Sequence, residues 1–347
     1  MNMKNPLSFQ LNTDDFLPAS KEEKESLSQM RPSVGFWKDA MRRLKKNPVA
    51  MVCFWIIVVI MIFAFIVPEF YPYKYEEQIK YSTYLGPFEF SEAEQARIDA
   101  GEKLFPHILG TDNLGRDYAV RVMVGSRVSL LVGLIASAII LVIGSVYGSI
   151  SGFFGGWVDL VMMRIVDIIY TIPDILLIVL LSFALEEPIR SLAAVPGFKW
   201  LNTVGTGLIS IFVVFALLYW VGMARIVRSQ VLTLKSSEYV TAARALGAGS
   251  GRIIRKHLLT NCIGTLVVTT TLQIPSSIFT ESFLSFLGLG VKVPMPSLGS
   301  LASDGLNGLE SHPYLLLAPA LLISLIILSF NLFGDGLRDA FDPKMKN

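Results

Sequence analysis

The chain has 347 residues, of which 52% are hydrophobic and only 17% are charged, and its formal net charge is +2. A soluble domain of this length carries nearer a quarter charged residues, so the composition argues against an ordinary soluble protein. The small net charge gives no indication of nucleic-acid binding. The two cysteines give no disulfide framework.

The apolar residues are concentrated in runs that are long enough to cross a bilayer, which takes about 20 helical residues. Six such runs predict an all-α membrane protein with six transmembrane helices: 49–67, 128–158, 168–185, 200–224, 258–280 and 313–334. The first run begins too far along the chain to be the apolar part of a signal peptide.

The distribution of Lys and Arg predicts that the N- and C-termini are cytoplasmic. In this orientation the inner segments hold about two thirds of the 30 Lys and Arg residues, as the positive-inside rule expects. The predicted organisation is a cytoplasmic tail (1–48), the first span (49–67), an extracytoplasmic segment (68–127), a five-helix core (128–334) and a second cytoplasmic tail (335–347).

Two features are predicted around the first span. Residues 36–46 read as an amphipathic helix on the membrane face, with Phe36, Trp37 and Leu44 towards lipid. Residues 76–102 are rich in Asp and Glu and are interpreted as a solvated acidic insertion.

The second span carries a row of glycines, Gly144, Gly148, Gly152 and Gly156, each four residues apart. On a helix such a row forms a smooth ridge that lets another backbone approach closely. Packing inside the bundle is the first interpretation, and contact with a second membrane subunit is the alternative.

Acidic residues occur near the third and fifth spans. Asp167 and Asp174 are seven residues apart, which predicts that they share one helix face. Structural pairing, with Arg164 as the partner of Asp167, is the first interpretation of these acids, and proton coupling is the alternative. Glu281 follows the charge-free part of the fifth span towards the outer side. It could meet a peptide amine there or pair with a neighbouring helix.

The fifth span has a polar stripe on one helical face: Thr269, Gln273, Ser276, Ser277 and Thr280. Polar groups in hydrocarbon need partners or water. We therefore predict a water-lined path for a polar solute, with hydrogen bonding between helices as the alternative.

A polar, basic segment, 236–261, separates the fourth and fifth spans. Ser237 suits an N-cap, Glu238 suits the positive end of a helix and Gly247 suits its end. A second helix is expected from Arg252 to Leu259. The first helix offers a small apolar surface that fits a socket on a partner protein, and the alternative is a helix lying on membrane lipid.

The segment 236–261 resembles the cytoplasmic EAA loop of ABC importer permeases. Both alanines, the glycine and a later leucine of that pattern are present, as Ala242, Ala243, Gly247 and Leu259. Three positions depart from it: Thr241 stands for Glu, His257 for Ile and Thr260 for Pro. Further stretches resemble the C-type membrane subunit of oligopeptide and dipeptide importers: HILGTDNLGRD (107–117), SRVSL (126–130), SFLGLG (285–290) and GDGLRD (334–339).

The resemblance implies a half-channel in a prokaryotic cytoplasmic membrane, paired with a second, homologous permease subunit. Two cytoplasmic ATPases would bind ATP and Mg²⁺, an extracytoplasmic binding protein would deliver peptides, and this chain would hold no cofactor. The residues that would couple it to an ATPase are Glu238, Tyr239, Thr241, Ala242, Ala243, Arg244, Leu246 and Gly247. The polar stripe would line the translocation path.

Other functions remain as alternatives. Nickel and glutathione importers use closely related permeases. A proton-driven secondary transporter with Asp174 and Glu281 as carriers is a second hypothesis, although the internal repeats typical of that class are not evident. No metal site or catalytic constellation is expected. The stretch Gly110–Arg116 lacks the Lys and Ser/Thr of a P-loop, so nucleotide binding is not predicted. An enzymatic activity is not predicted either, because no catalytic constellation is recognisable.

Overall fold

The computed structural model describes residues 35–199, 201, 205–291 and 294–341. The predicted tails 1–48 and 335–347 therefore lie partly outside the described residues. Regular structure in the described part is helical, which confirms an all-α membrane protein. The helices are α1 (Phe36–Lys46), α2 (Pro48–Phe70), α3 (Glu92–Asp99), α4 (Tyr118–Phe154), α5 (Gly156–Thr171), α6 (Asp174–Ala193), α7 (Thr206–Leu234), α8 (Glu238–Ala245), α9 (Ile263–Phe286), α10 (Leu298–Leu306) and α11 (Tyr314–Phe341).

Five helices of the described part, α2, α4, α7, α9 and α11, are each long and apolar enough to cross a membrane. The third predicted span is instead a pair of helices, α5 and α6, bent by 89° at residues 172–173. Proline in the interior of a helix removes a backbone hydrogen bond and disfavours a helical residue before it, so Pro173 explains the break. Six spans remain a prediction that requires this bent pair to count as one.

The bend corrects the expectation that Asp167 and Asp174 share one helix face. Asp167 lies in α5, whereas Asp174 is the first residue of α6. Arg164 is not the partner of Asp167 either. The Asp167 carboxylate pairs instead with the guanidinium of Arg225 on α7, at 2.9 Å.

Helix α4 is the centre of the bundle. It begins ten residues before the predicted span because Asp117 caps it, accepting a hydrogen bond from the amide of Val120 at 3.0 Å. Its 37 residues extend about 55 Å. Helix α7 packs along one side of α4, and α9 packs between α4 and α11.

Helix α1 packs against protein, which corrects part of its predicted orientation towards lipid. Leu44 is buried in a cluster with Ala50 and Ala340, beside the end of α11. The ring of Trp37 meets that of Phe341 edge-on, with centroids 5.6 Å apart, although more than half of Trp37 is exposed. Helix α11 runs on to Phe341, seven residues past its predicted end, and gives α1 this surface.

Candidate coupling helix and translocation path

Both ends of α8 are set by local sequence. Ser237 occupies the N-cap position as predicted, but its hydroxyl donates to the carbonyl of Leu234 at 2.6 Å and does not cap the helix. At the other end the amides of Ala248 and Gly247 donate to the carbonyls of Ala243 and Arg244, both at 3.0 Å. These two bonds form a Schellman motif. Gly247 has a φ of 81°, a left-handed conformation that only glycine adopts without strain.

One face of α8 is anchored in the bundle. Val240 is fully buried, in one apolar cluster with Val231, Ile253 and Leu258. The guanidinium of Arg244 lies 5.6 Å from the centroid of the Phe153 ring at the end of α4. These contacts fix the helix against the ends of α4 and α7.

The remaining surface of α8 is open. Tyr239, Ala242 and Leu246 are three and four residues apart, which places them on one helical face. All three are exposed, Leu246 to 88%. Among the predicted coupling residues only Ala243 is half-buried, and the others are exposed: Glu238, Tyr239, Thr241, Ala242, Arg244, Leu246 and Gly247.

The chain after α8 differs from the expected second helix. A short α-helical turn, Ser250–Arg252, leads into a π-helical segment, Ile253–Leu258, and residues 259–262 form a turn before α9. Ile253 and Leu258 are buried against Val240. The π-helical segment therefore holds the other side of α8, and α9 begins at Ile263 rather than at residue 258.

An ion pair and a hydrogen bond from a lysine, neither of them predicted from the sequence, brace the α8 end of the bundle. Arg228 on α7 donates two hydrogen bonds to the carboxylate of Asp159 on α5, both at 2.5 Å. Lys235 donates to the carbonyl of Gly152 at 2.9 Å. The signal was available, because Asp159 and Arg228 are opposite charges in two segments predicted on the same side of the membrane.

The glycine row lies against α7 of the same chain. A Cβ atom at Gly144 would be 2.6 Å from the Met223 side chain, and one at Gly148 would be 2.3 Å from the carbonyl oxygen of Ala224. At Gly152 it would be 2.9 Å from the Arg228 carbonyl oxygen. The prediction that Gly156 continues the row is wrong. Helix α4 ends at Phe154 and Gly155 has a φ of 66°, so Gly156 starts α5 instead.

The polar stripe of α9 is divided between two environments. Ser276 is exposed, and Thr269 and Gln273 are half-buried. Thr280 is buried, and its hydroxyl lies 2.8 Å from that of Tyr219 on α7. Ser277 is fully buried, and its hydroxyl has no hydrogen-bond partner in the described part of the chain.

Glu281 is fully buried, and so does not stand at an open entrance. Its carboxylate accepts hydrogen bonds from the hydroxyls of Ser129 at 2.8 Å and Ser285 at 2.7 Å. The Ser129 hydroxyl also accepts from the amide of Leu298 at 3.3 Å. No Lys or Arg of the described ranges pairs with Glu281, so the salt bridge to a neighbouring helix, one of its two predicted roles, is replaced by a hydroxyl network joining α4, α9 and α10.

The motif 107–117 forms a compact structure before α4, at the end of the bundle opposite α8. His107 is fully buried, with Nδ1 2.7 Å from Asp117 and Nε2 3.0 Å from Glu94. Burial of the imidazole acts to lower its pKa, but the hydrogen bonds to both carboxylates outweigh burial and raise the pKa of His107. Burial acts to raise the pKa of Glu94, but hydrogen bonds from Ser91 and His107 lower it.

The acidic insertion, residues 76–102, is therefore not solvated throughout. Most of its carboxylates are exposed, whereas Glu94 is buried and joins the insertion to the cap of α4. No group of three or more His, Cys, Asp or Glu suited to a metal ion occurs within residues 35–199, 201, 205–291 and 294–341.

Together the apolar helices, the polar stripe and the projecting α8 define a membrane permease built from one helical bundle. The chain belongs to the family of binding-protein-dependent transport system inner membrane components, whose pattern matches residues 144–347. Residues 35–87 match the N-terminal transmembrane domain of oligopeptide transport permease C. The expected family is thereby confirmed, and the chain is a transport subunit rather than an enzyme.

Similarity to individual relatives extends over nearly the whole chain. The chain is 40% identical to the oligopeptide transport system permease protein OppC of Bacillus subtilis, over 95% of this chain and 97% of that protein. It is 40% identical to the dipeptide transport system permease protein DppC of the same organism, over 95% and 93%. It is 36% identical to OppC of Escherichia coli, over 94% and 98%.

Proposed function

We propose that this chain is a permease subunit of an ATP-driven importer that carries oligopeptides or dipeptides across the cytoplasmic membrane. The observation that carries the proposal is end-to-end similarity to proteins named for oligopeptide and dipeptide transport. The same names favour peptides over nickel or glutathione. Both termini and α8 face the cytoplasm in this proposal, consistent with the distribution of Lys and Arg.

The proposed partners are a second homologous permease, two cytoplasmic ATPases that hold ATP and Mg²⁺, and an extracytoplasmic peptide-binding protein. The geometry of α8 supports the contact with an ATPase. One face of the helix is anchored through Val240, while Tyr239, Ala242 and Leu246 form an exposed apolar face. The exposed face offers a binding surface to an ATPase subunit. The anchored face would transmit a movement of that subunit to α4 and α7.

The test uses two glycines that flank the end of α8. Gly247 and Gly249 both have open space where a Cβ would stand, but only Gly247 has a positive φ, 81° against −68°. Gly247→Ala should therefore strain the end of α8 by about 1–2 kcal/mol, whereas Gly249→Ala should not.

The complete complex in proteoliposomes, supplied with binding protein and tripeptide, is expected to show ATP-dependent uptake. Gly247→Ala should lower the peptide taken up per ATP hydrolysed, and Gly249→Ala should match the wild type. Equal ratios in both variants would count against coupling through α8. Uptake of nickel or glutathione in place of peptide would overturn the proposed substrate.

A further inference from the structure

A cavity of about 350 Å³ lies where the α5–α6 bend meets the middle of α7. Its wall on one side is the bend itself, Thr171 to Asp174, and on the other side Tyr219 and Gly222. This volume falls in the range of sites that hold small ligands or single side chains.

Three local features keep the cavity open. The 89° bend turns α6 away from α7 just after Thr171. Residues Phe215–Tyr219 form a π-helical turn, which is wider than an α-turn and is frequent at functional sites. Gly222 has no side chain, and nothing lies within 4 Å of a Cβ built there. The space therefore arises from backbone geometry on both sides.

Among the described residues, Asp174 is the only charged one that lines this cavity. One carboxylate oxygen accepts a hydrogen bond from the amide of Ile175 at 3.0 Å, and the side chain is exposed. In the described part of the chain no Lys or Arg forms an ion pair with it, whereas nearby Asp167 is paired with Arg225. An acidic residue within a membrane-spanning segment usually pairs with a cation or marks a substrate path.

The cavity is joined to the polar stripe of α9 by a hydrogen bond. Tyr219 lines the cavity, and its hydroxyl lies 2.8 Å from that of Thr280. The Thr280 hydroxyl in turn lies 3.0 Å from the carbonyl of Ser276, the exposed member of the stripe. One hydrogen bond therefore connects a residue that lines the cavity with the polar stripe predicted to line the translocation path.

Resting on the proposed function, we propose that this cavity binds a cationic group of the peptide during translocation, with Asp174 as its counter-charge. The cation is an ammonium group, at the peptide N-terminus or on a lysine side chain. The lining combines apolar side chains with one carboxylate and the hydroxyl-bearing residues Tyr170, Thr171 and Tyr219, which suits an ammonium group carried on an apolar stem. Asp174 is then a substrate-contacting residue, not a proton carrier.

The experiment measures ATP-driven uptake by the complete complex in proteoliposomes with saturating, peptide-loaded binding protein. The probes are Ala-Lys-Ala and the same peptide with an acetylated lysine side chain. The variants are Asp174→Asn, which removes the charge, and Asp174→Glu, which keeps it. Glu310→Gln, an exposed residue outside the cavity, is the control.

Asp174→Asn should slow uptake by roughly fivefold, since a partly exposed ion pair contributes about 1 kcal/mol. Asp174→Glu should retain most of the rate, and Glu310→Gln all of it. Slowing of both peptides assigns the site to the N-terminal ammonium, and slowing of Ala-Lys-Ala alone assigns it to lysine.

Wild-type rates in Asp174→Asn, or equal slowing in Asp174→Asn and Asp174→Glu, would overturn the inference while leaving the proposed function intact. Absence of ATP-driven peptide uptake by the wild-type complex would instead overturn the proposed function.

Discussion

Replacing Gly148 with alanine tests whether close contact between α4 and α7 holds the bundle together. The new Cβ would lie 2.3 Å from the carbonyl oxygen of Ala224 and 3.0 Å from its Cα. Ordinary contacts of a methyl group are about 3.5 Å long, so the two helices must separate by about 1 Å. Both clashing groups are backbone atoms of α7, so no side-chain rotation can relieve the contact.

These distances determine how much Gly148→Ala should lower the free energy of unfolding. Overpacking of a tight contact costs about 1–3 kcal/mol, against which alanine gains up to about 1 kcal/mol in helix propensity. Separation also weakens the contacts at Gly144 and Gly152, which lie on the same ridge. We expect a net loss of about 1–2 kcal/mol, which lowers the melting temperature of the detergent-solubilised protein by several degrees.

Gly222→Ala is the matched control, because Gly222 lies in α7 with nothing within 4 Å of the position that a Cβ would take. Because the new methyl group meets no clash, the only expected effect is the higher helix propensity of alanine. Gly222→Ala should therefore melt at or slightly above the wild-type temperature. If Gly148→Ala is as stable as Gly222→Ala, α4 and α7 are not in close backbone contact and the packing argument fails.

Two further predictions concern the opposite ends of the bundle. The raised pKa of His107 means that its stabilisation is complete below its ordinary pKa, about 6.5, and is lost as pH rises through the folded-state value. The lowered pKa of Glu94 adds stability that is lost only at acid pH. Melting temperatures should therefore fall from pH 6 towards pH 9, and His107→Gln should flatten this fall; an unchanged slope would contradict the network. At the other end, Val240→Ala removes two buried methyl groups and should cost about 1.6 kcal/mol in thermal unfolding. Leu246→Ala should leave stability unchanged because Leu246 is 88% exposed, yet should lower uptake per ATP; a stability loss in Leu246→Ala equal to that in Val240→Ala would contradict the assignment of the two faces.

The features that could be predicted from the sequence depend on residues that are close together in the chain. The end of α8 was predictable because a glycine after a run of helix formers adopts the left-handed conformation that Gly247 shows. The break before Asp174 also had a local signal in Pro173, but the continuous apolar run favoured one uninterrupted helix. A proline within an apolar run therefore indicates a possible helix break that hydropathy alone does not show.

The features that the sequence did not reveal depend on residues far apart in the chain. Glu281 is held by Ser129, which is 152 residues away, so its burial follows from packing of α4 on α9 and not from its position at a span end. The direction of Val240 likewise follows from the π-helical segment beyond α8. Leu44 faces α11 because that helix extends past the apolar run that predicted it.

The central claim is that α8 lies in the cytoplasm and is gripped there by an ATP-hydrolysing subunit. Leu246→Cys tests it directly, because both native cysteines, Cys53 and Cys262, are buried, whereas position 246 is exposed. In sealed right-side-out vesicles that contain the assembled complex, an impermeant thiol reagent should fail to label residue 246, and a permeant bifunctional reagent should cross-link it to an ATPase subunit. Labelling by the impermeant reagent from outside, or the absence of any ATPase cross-link, would contradict the account.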